Sequence, residues 1–225
     1  MNHAAPRTFE RLAIFGAGGH GRELAWLASQ AWGDDLAIDF LVDRQEYLRD
    51  AVDGHPVSLL QAYEVRGATA FVVALGDAAH RRRAAEACTA RGLMPVALVH
   101  PRVEASSRVE IAPGAVVCAG SVLTTNVRIG AHAHVNIACT LSHDTVLGDF
   151  ATLSPGVHVA GHVHIGRDVF VGIGATIING EAGNPLVIGE GAVIAAGACV
   201  ISNVPTHSLF AGVPARFKRS VIAEA

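Results

Sequence analysis

The chain has 225 residues, 51% of them hydrophobic and 16% charged, a balance that suits one generous core or two small ones and excludes an intrinsically disordered chain. Its 17 basic and 20 acidic residues give a net charge of −3, which argues against a nucleic-acid-binding surface, and Gly, His or charge interrupts every apolar run before a membrane-spanning length. Cys88, Cys118, Cys139 and Cys199 form no paired motif and read as small buried thiols in a reducing compartment; with no apolar signal core in MNHAAPRTFE, the expected location is cytoplasmic.

The first predicted element is a strand, Leu12 to Phe15, followed by the loop Gly16-Ala17-Gly18-Gly19-His20-Gly21 and an amphipathic helix from Arg22 to Ala31. Such a loop lets backbone N–H groups approach a phosphate without Cβ interference, and the helix N-terminus adds partial positive charge. A second strand, Ala37 to Val42, ends at Asp43, where an acid would meet a ribose hydroxyl, and a third, Ala70 to Leu75, ends at Gly76-Asp77. The glycine pattern alone does not specify NAD. With fewer than a hundred residues before the composition changes, there is room for half a dinucleotide fold, which favours a mononucleotide or a nucleotide sugar. The cluster Arg81-Arg82-Arg83 reads as a solvated face. The change falls near residue 99 and predicts an α/β, Rossmann-like βαβαβ domain over 1–98 and a second domain over 99–225 with a short C-terminal tail.

Beyond that point every sixth residue from Ile111 to Ile177 is aliphatic, twelve in succession, and the series resumes five residues late at Ile188, Ile194 and Val200. Residues 179–185, NGEAGNP, are therefore an inserted external loop. A period of six fits neither a helix nor a plain strand; it fits hexapeptide repeats, three short strands to a coil, in a parallel β-helix whose stacked coils share one apolar core. The glycine following Ile129, Leu147, Ile165, Val171 and Ile188 marks either a tight corner or a close backbone approach. In this register Leu141 points inward and His143 outward, while Cys139 lies around a corner from His143 and reads as a packed thiol rather than a nucleophile.

The repeat resembles the all-β left-handed parallel β-helix of hexapeptide acyltransferases, and Ala211-Gly212-Val213-Pro214-Ala215-Arg216 resembles the segment with which those helices end. Together with GAGGHG and the βαβαβ domain, nearly the whole chain is similar to the sialic-acid O-acetyltransferase and bacillosamine N-acetyltransferase family. That resemblance implies a homotrimer that uses acetyl-CoA to acetylate a sugar in bacterial surface-glycan biosynthesis. The acceptor it implies is the amine of a nucleotide-linked amino sugar, with O-acetylation as the alternative. By position it places Gly18, Gly19, His20, Asp43, Arg44 and Gly76 in the nucleotide-sugar pocket, with Arg44 standing where bacillosamine enzymes can carry a second acid. It places Thr152, Gly161, Ile173 and Ala196 along the CoA groove, Thr152 replacing a histidine that often contacts CoA. His143 is then the general base, because an attacking amine must lose a proton, and Asp144 holds its tautomer. Gly161, one coil of eighteen residues after His143, offers a backbone N–H for the thioester oxyanion.

Other readings stay open on the sequence. His162 falls eighteen residues after Asp144 and could pair with it in competition with His143. His132-Ala133-His134 and His162-Val163-His164 motivate a zinc enzyme of the γ-carbonic anhydrase kind, although no metal is expected here, and a non-catalytic sugar-nucleotide scaffold would leave His143 dispensable. His158 joins these as an exposed turn or groove residue, and Arg216, Lys218 and Arg219 form a basic tail that could meet CoA phosphates or only solvent.

Overall fold

The computed structural model describes residues 7–221, and the chain divides into two compact units that meet between Pro101 and Arg102. That junction lies just past the boundary read at 98/99, and the Trp26 and His100 rings, 5.3 Å apart, tie the intervening segment to the first unit. The start of the MNHAAPRTFE segment and the end of the tail lie outside the described residues. No helix among the described residues is long and apolar enough to cross a membrane.

The first unit is built on strands β1 (Arg11–Phe15), β2 (Ala37–Val42), β3 (Ala51–Val52), β4 (His55–Leu59), β5 (Thr69–Val73) and β6 (Met94–Pro95), with helices α1 (Gly19–Trp32) and α2 (Ala78–Ala90). The sheet order is β3-β4-β2-β1-β5-β6, parallel except between β3 and β4. Leu12 to Phe15 in β1 are all buried, as a central parallel strand covered on both faces requires. Leu24, Leu27 and Ala28 bury the apolar stripe of α1, each leucine contributing about 2 kcal/mol. Two βαβ units, β1–α1–β2 and β5–α2–β6, are present, joined by a hairpin rather than a second helical crossover. Its turn residues, Asp53 and Gly54, have φ of 49° and 83°, the two positive values that a two-residue hairpin turn favours.

The second unit is a left-handed parallel β-helix. Leu123, Leu141 and Val159 stack on one face, Ile129, Leu147 and Ile165 on the next, and Val135, Leu153 and Val171 on the third, each eighteen residues above the last. Past the insertion the pairs become Ile165–Ile188, Val171–Ile194 and Ile177–Val200. From Val117 onward the inward aliphatics are at most 3% exposed. A second inward row, two residues before each aliphatic, adds to the core: Ser121, Val127, Ala133, Cys139, Thr145 and Ala151 are all fully buried. Its polar members are satisfied by backbone carbonyls, Ser121 Oγ donating to Asn136 O at 2.9 Å and Thr145 Oγ1 to Ala160 O at 3.2 Å.

The glycines after the aliphatics serve close approach rather than tight turning. None of the five has positive φ, and a Cβ on Gly148 would stand 2.5 Å from the Arg167 nitrogen of the next coil. Left-handed backbone occurs at corners of the coil, one of which uses Asn126, Asp144 and His162, with φ of 55°, 58° and 55°, stacked one coil apart, while others use His132, Ala138, Phe150 and Asp168. The insertion is a small hairpin closed by mutual Glu181 and Asn184 backbone bonds of 3.1 and 3.0 Å. The basic segment is not a loose tail: Arg216–Ser220 forms an exposed strand antiparallel to Ser208–Ala211.

Candidate active site and nucleotide cleft

The first unit carries a cleft of about 760 Å³ at the carboxyl ends of β1, β2 and β5, beside the point where the strand order reverses around β1. Gly18, Gly19, His20, Asp43, Arg44 and Gly76, drawn from three separate segments, all line it. Helix α1 begins at Gly19, three residues earlier than the sequence reading, so His20 sits in its first turn. Gly18 caps that helix without a side-chain hydrogen bond. A Cβ on Gly18 or Gly19 would meet nothing within 4 Å, whereas one on Gly21 would stand 3.0 Å from Gly16 C and 3.2 Å from Phe40. Gly21 thus seats the helix against the sheet, while Gly18 and Gly19 leave bare backbone open to the cleft.

Sequence reasoning missed several residues here. Arg49 and Arg83 line the cleft, are exposed, and make no ion pair among the described residues, which leaves two cations beside a helix N-terminus. Tyr47 adds a half-exposed ring, and Asp77 caps α2 by accepting from His80 N at 2.7 Å. Arg81, read as solvated, is fully buried and donates to the carbonyls of Leu75 and Gly76 at 2.6 and 3.1 Å, which fixes the loop carrying Gly76. No periodic signal marks a buried arginine inside a basic run; only its helical spacing from the buried Ala84, Ala85 and Cys88 hints at an inward position.

On the second unit His143 stands outward at a corner, its side chain 52% exposed, with Nδ1 2.9 Å from Asp144 Oδ2. Asn126 Nδ2 donates to Asp144 Oδ1 at 3.0 Å from the coil below. The His143 contact, and after it the Asn126 amide, hold the Asp144 carboxyl below the ordinary carboxylate range. His162 lies one coil above Asp144, its Nε2 3.8 Å from Oδ2 and its ring edge-on to His143 at 4.9 Å between centroids. At 2.9 Å the His143 contact is a hydrogen bond and the His162 contact is not, so orientation of His143 prevails. Gly161 lies beneath the His143 ring: a Cβ there would stand 2.9 Å from Nδ1 and closer still to Cε1 and Nε2. Its N–H makes no hydrogen bond among the described residues. The insertion leaves this same corner, with Gly180 N donating to Gly161 O and Leu186 N to His162 O, both at 3.0 Å.

The remaining groove residues lie elsewhere on the coil. Ile173 and Ala196 stack on a different corner, both exposed, Ile173 at 58%. Thr152 is buried on the face leading to it, paired between His134 and Phe170. The histidine pairs that suggested zinc are not gathered: His134 is buried, His132 stacks on Phe150 at 5.1 Å, and His164 is exposed on another face. Cys139 is buried, its thiol pushed up to about 11 by desolvation, which removes it as a nucleophile.

Residues 11–88 match the family model described as PglD N-terminal domain. The chain is 32% identical over 218 residues to GDP-perosamine N-acetyltransferase of Escherichia coli O157:H7, covering 92% of this chain and 96% of that one. It superposes on the acetyltransferase domain of PglB from Neisseria gonorrhoeae FA1090, solved with acetyl coenzyme A, with a TM-score of 0.82 and 31% identity over 93% of this chain and all of that one. PerB from Caulobacter crescentus, solved with CoA and GDP-perosamine, gives a TM-score of 0.80 at 26% identity over 92% of this chain and 97% of that one.

Proposed function

The chain belongs to the hexapeptide-repeat sugar acetyltransferase family with a PglD-type N-terminal domain and is an acetyl-CoA-dependent sugar N-acetyltransferase; from that premise we propose that it acetylates a nucleotide-linked amino sugar in surface-glycan biosynthesis, with His143 as general base. GDP-perosamine, which two of its relatives are named for or solved with, is the first acceptor to test. The observation that carries the reading is the exposed His143–Asp144 pair lying over the backbone of Gly161.

In the proposed reaction Nδ1–H of His143 donates to Asp144, which leaves the Nε2 lone pair free to accept a proton. The acceptor amine attacks the thioester carbonyl carbon as His143 takes its proton. The resulting oxyanion accepts from the Gly161 N–H, the C–S bond breaks, and the imidazolium returns the proton to the CoA thiolate. Products are the N-acetyl sugar and free CoA, with no acyl-enzyme. In the first unit, Gly18, Gly19 and His20 receive the diphosphate, aided by Arg49 and Arg83, while Asp43, Arg44 and Gly76 border the nucleoside.

We also propose a homotrimer. The His143 and Gly161 corner and the Ile173 and Ala196 corner of one chain are different corners, so a CoA groove using both lies between copies. Ile137, Ile173, Ile178 and Ile201 are exposed aliphatics that such contacts would cover. A cytoplasmic location is part of this reading, since the proposed reaction draws on acetyl-CoA and a nucleotide sugar.

The test is CoA release together with product mass for GDP- and UDP-linked amino sugars, comparing wild type with His143→Asn. Turnover with a product heavier by one acetyl group, reduced about 10²–10⁴-fold in the variant, is expected. Full activity in His143→Asn would remove the base assignment. Sedimentation of the intact protein at three times the chain mass tests the trimer.

A further inference from the structure

We propose that His143, Asp144 and His162 form a binding site for a borderline divalent transition metal such as Zn²⁺, and that its occupation switches the acetyltransferase off by reversing the His143 tautomer. The switch rests on the reading of His143 as base; the metal site does not.

Among the described residues these three alone bring ligand atoms together as a group of His, Cys or carboxylate side chains, all within 4.8 Å of one another. Donors on a four-coordinate zinc with bonds of about 2.0–2.1 Å sit roughly 3.3 Å apart. The observed separations of 2.9 Å, from His143 Nδ1 to Asp144 Oδ2, and 3.8 Å, from His162 Nε2 to the same oxygen, bracket that value. Small side-chain rotations close the set, since the backbone is already fixed. Asp144 N donates to Thr125 O at 3.1 Å and His162 N to His143 O at 3.0 Å. Asn126 engages Asp144 Oδ1 and leaves Oδ2 facing both imidazoles, the outer-shell support that ligating carboxylates need. The three side chains are 52%, 39% and 28% exposed, so an ion can enter and a water can complete the shell.

The consequence follows from the two ring nitrogens. In the active arrangement the proton is on Nδ1 and Nε2 is the acceptor. A metal on Nδ1 takes that lone pair, so the neutral ring carries its proton on Nε2 and can no longer accept one from the amine; Asp144 is diverted as well. The loss therefore falls on kcat while the Michaelis constants of both substrates hold.

The test uses the untagged full-length protein at neutral pH and Co²⁺ as a spectroscopic stand-in. Intense visible d–d bands of four-coordinate Co²⁺ are expected in the wild type, displaced by Zn²⁺, retained in His164→Gln and lost in His162→Gln. Zn²⁺ should lower kcat reversibly, with EDTA restoring it. Loss of a ligand costs at least as much as loss of an outer-shell partner, so His162→Gln should raise the Zn²⁺ inhibition constant by about 10–100-fold or more. Wild-type Co²⁺ bands no stronger than those of the aqueous ion, or equal Zn²⁺ inhibition of wild type and His162→Gln, overturns the proposal. If His143→Asn is inactive while wild type binds no Co²⁺, this proposal falls and the base assignment stands; if wild type binds Co²⁺ while His143→Asn is fully active, the tautomer switch falls together with the base.

Discussion

Replacing Gly161 by alanine should break the candidate site without breaking the fold. Gly161 is not in the left-handed region, so an alanine there meets no backbone strain. Its Cβ would stand 2.9 Å from His143 Nδ1 and nearer to Cε1 and Nε2, where relaxed contacts lie at about 3.5–4.0 Å. The ring must therefore withdraw by roughly 1 Å, which is enough to break its 2.9 Å bond to Asp144. The group that yields is the end of a side chain 52% exposed, so the folding cost stays small, under about 1 kcal/mol, or less than about 4 °C in Tm. A misplacement of about 1 Å in a reacting group costs on the order of 10²-fold, or about 2.7 kcal/mol. Because alanine keeps its N–H, the proposed oxyanion donor survives and the loss reports on the imidazole alone. Steady-state CoA release and thermal unfolding measure the two halves of the prediction; kcat/KM within about threefold of wild type would show that the ring position is not what matters.

Asp144→Asn should lower kcat by about 10²–10⁴-fold, measured in the same assay, because an amide does not hold the Nδ1 proton as a carboxylate does. The carboxyl is depressed below its ordinary value of 3.8, so its contribution to stability is present above that value and fades as pH falls through the lower native one. Urea melts across the acid range should therefore show wild type and Asp144→Asn converging below pH 3.8 and separating above it. Arg83→Gln should raise KM for the nucleotide sugar roughly tenfold while kcat and the acetyl-CoA KM hold, since it removes the proposed charge-assisted phosphate contact. Gly21→Ala forces a Cβ against Gly16 and Phe40, and urea denaturation should register a loss of about 1–3 kcal/mol.

The β-helix was legible because its period is a covalent fact of the chain: each aliphatic from Val117 to Val200 fills one place in a stack, and the five-residue slip mapped directly onto the hairpin around Glu181 and Asn184. The outward stance of His143 followed from the same register. The second inward row was hidden because it mixes Ser and Thr with Ala, Cys and Val, so no uniform apolar period marks it. In the first unit the loop and strands β1, β2 and β5 are legible, whereas β6 and the hairpin of β3 and β4 are not read, although Asp53-Gly54 signals the hairpin. Arg49 and Arg83 reach the cleft from segments far apart in sequence, a convergence that no local pattern encodes.

Why a histidine directly precedes an aspartate at 143–144 has an answer in the corner itself. Three successive coils turn there through a left-handed residue, and Asn, Asp and His are among the side chains that tolerate that backbone best after glycine. The three coils use Asn126, Asp144 and His162, and the stack places an amide donor below the carboxylate and an imidazole above it. The left-handed turn favours such a polar column without dictating it, since other corners place Ala138 and Phe150 in the same backbone, and the residue just before it on the middle coil needs only to be a histidine for the proposed oriented base to result. Glycine at 144 would satisfy the turn equally well and leave His143 without its acceptor. The aspartate therefore serves both the turn and the proposed chemistry, and only the second is lost in Asp144→Gly.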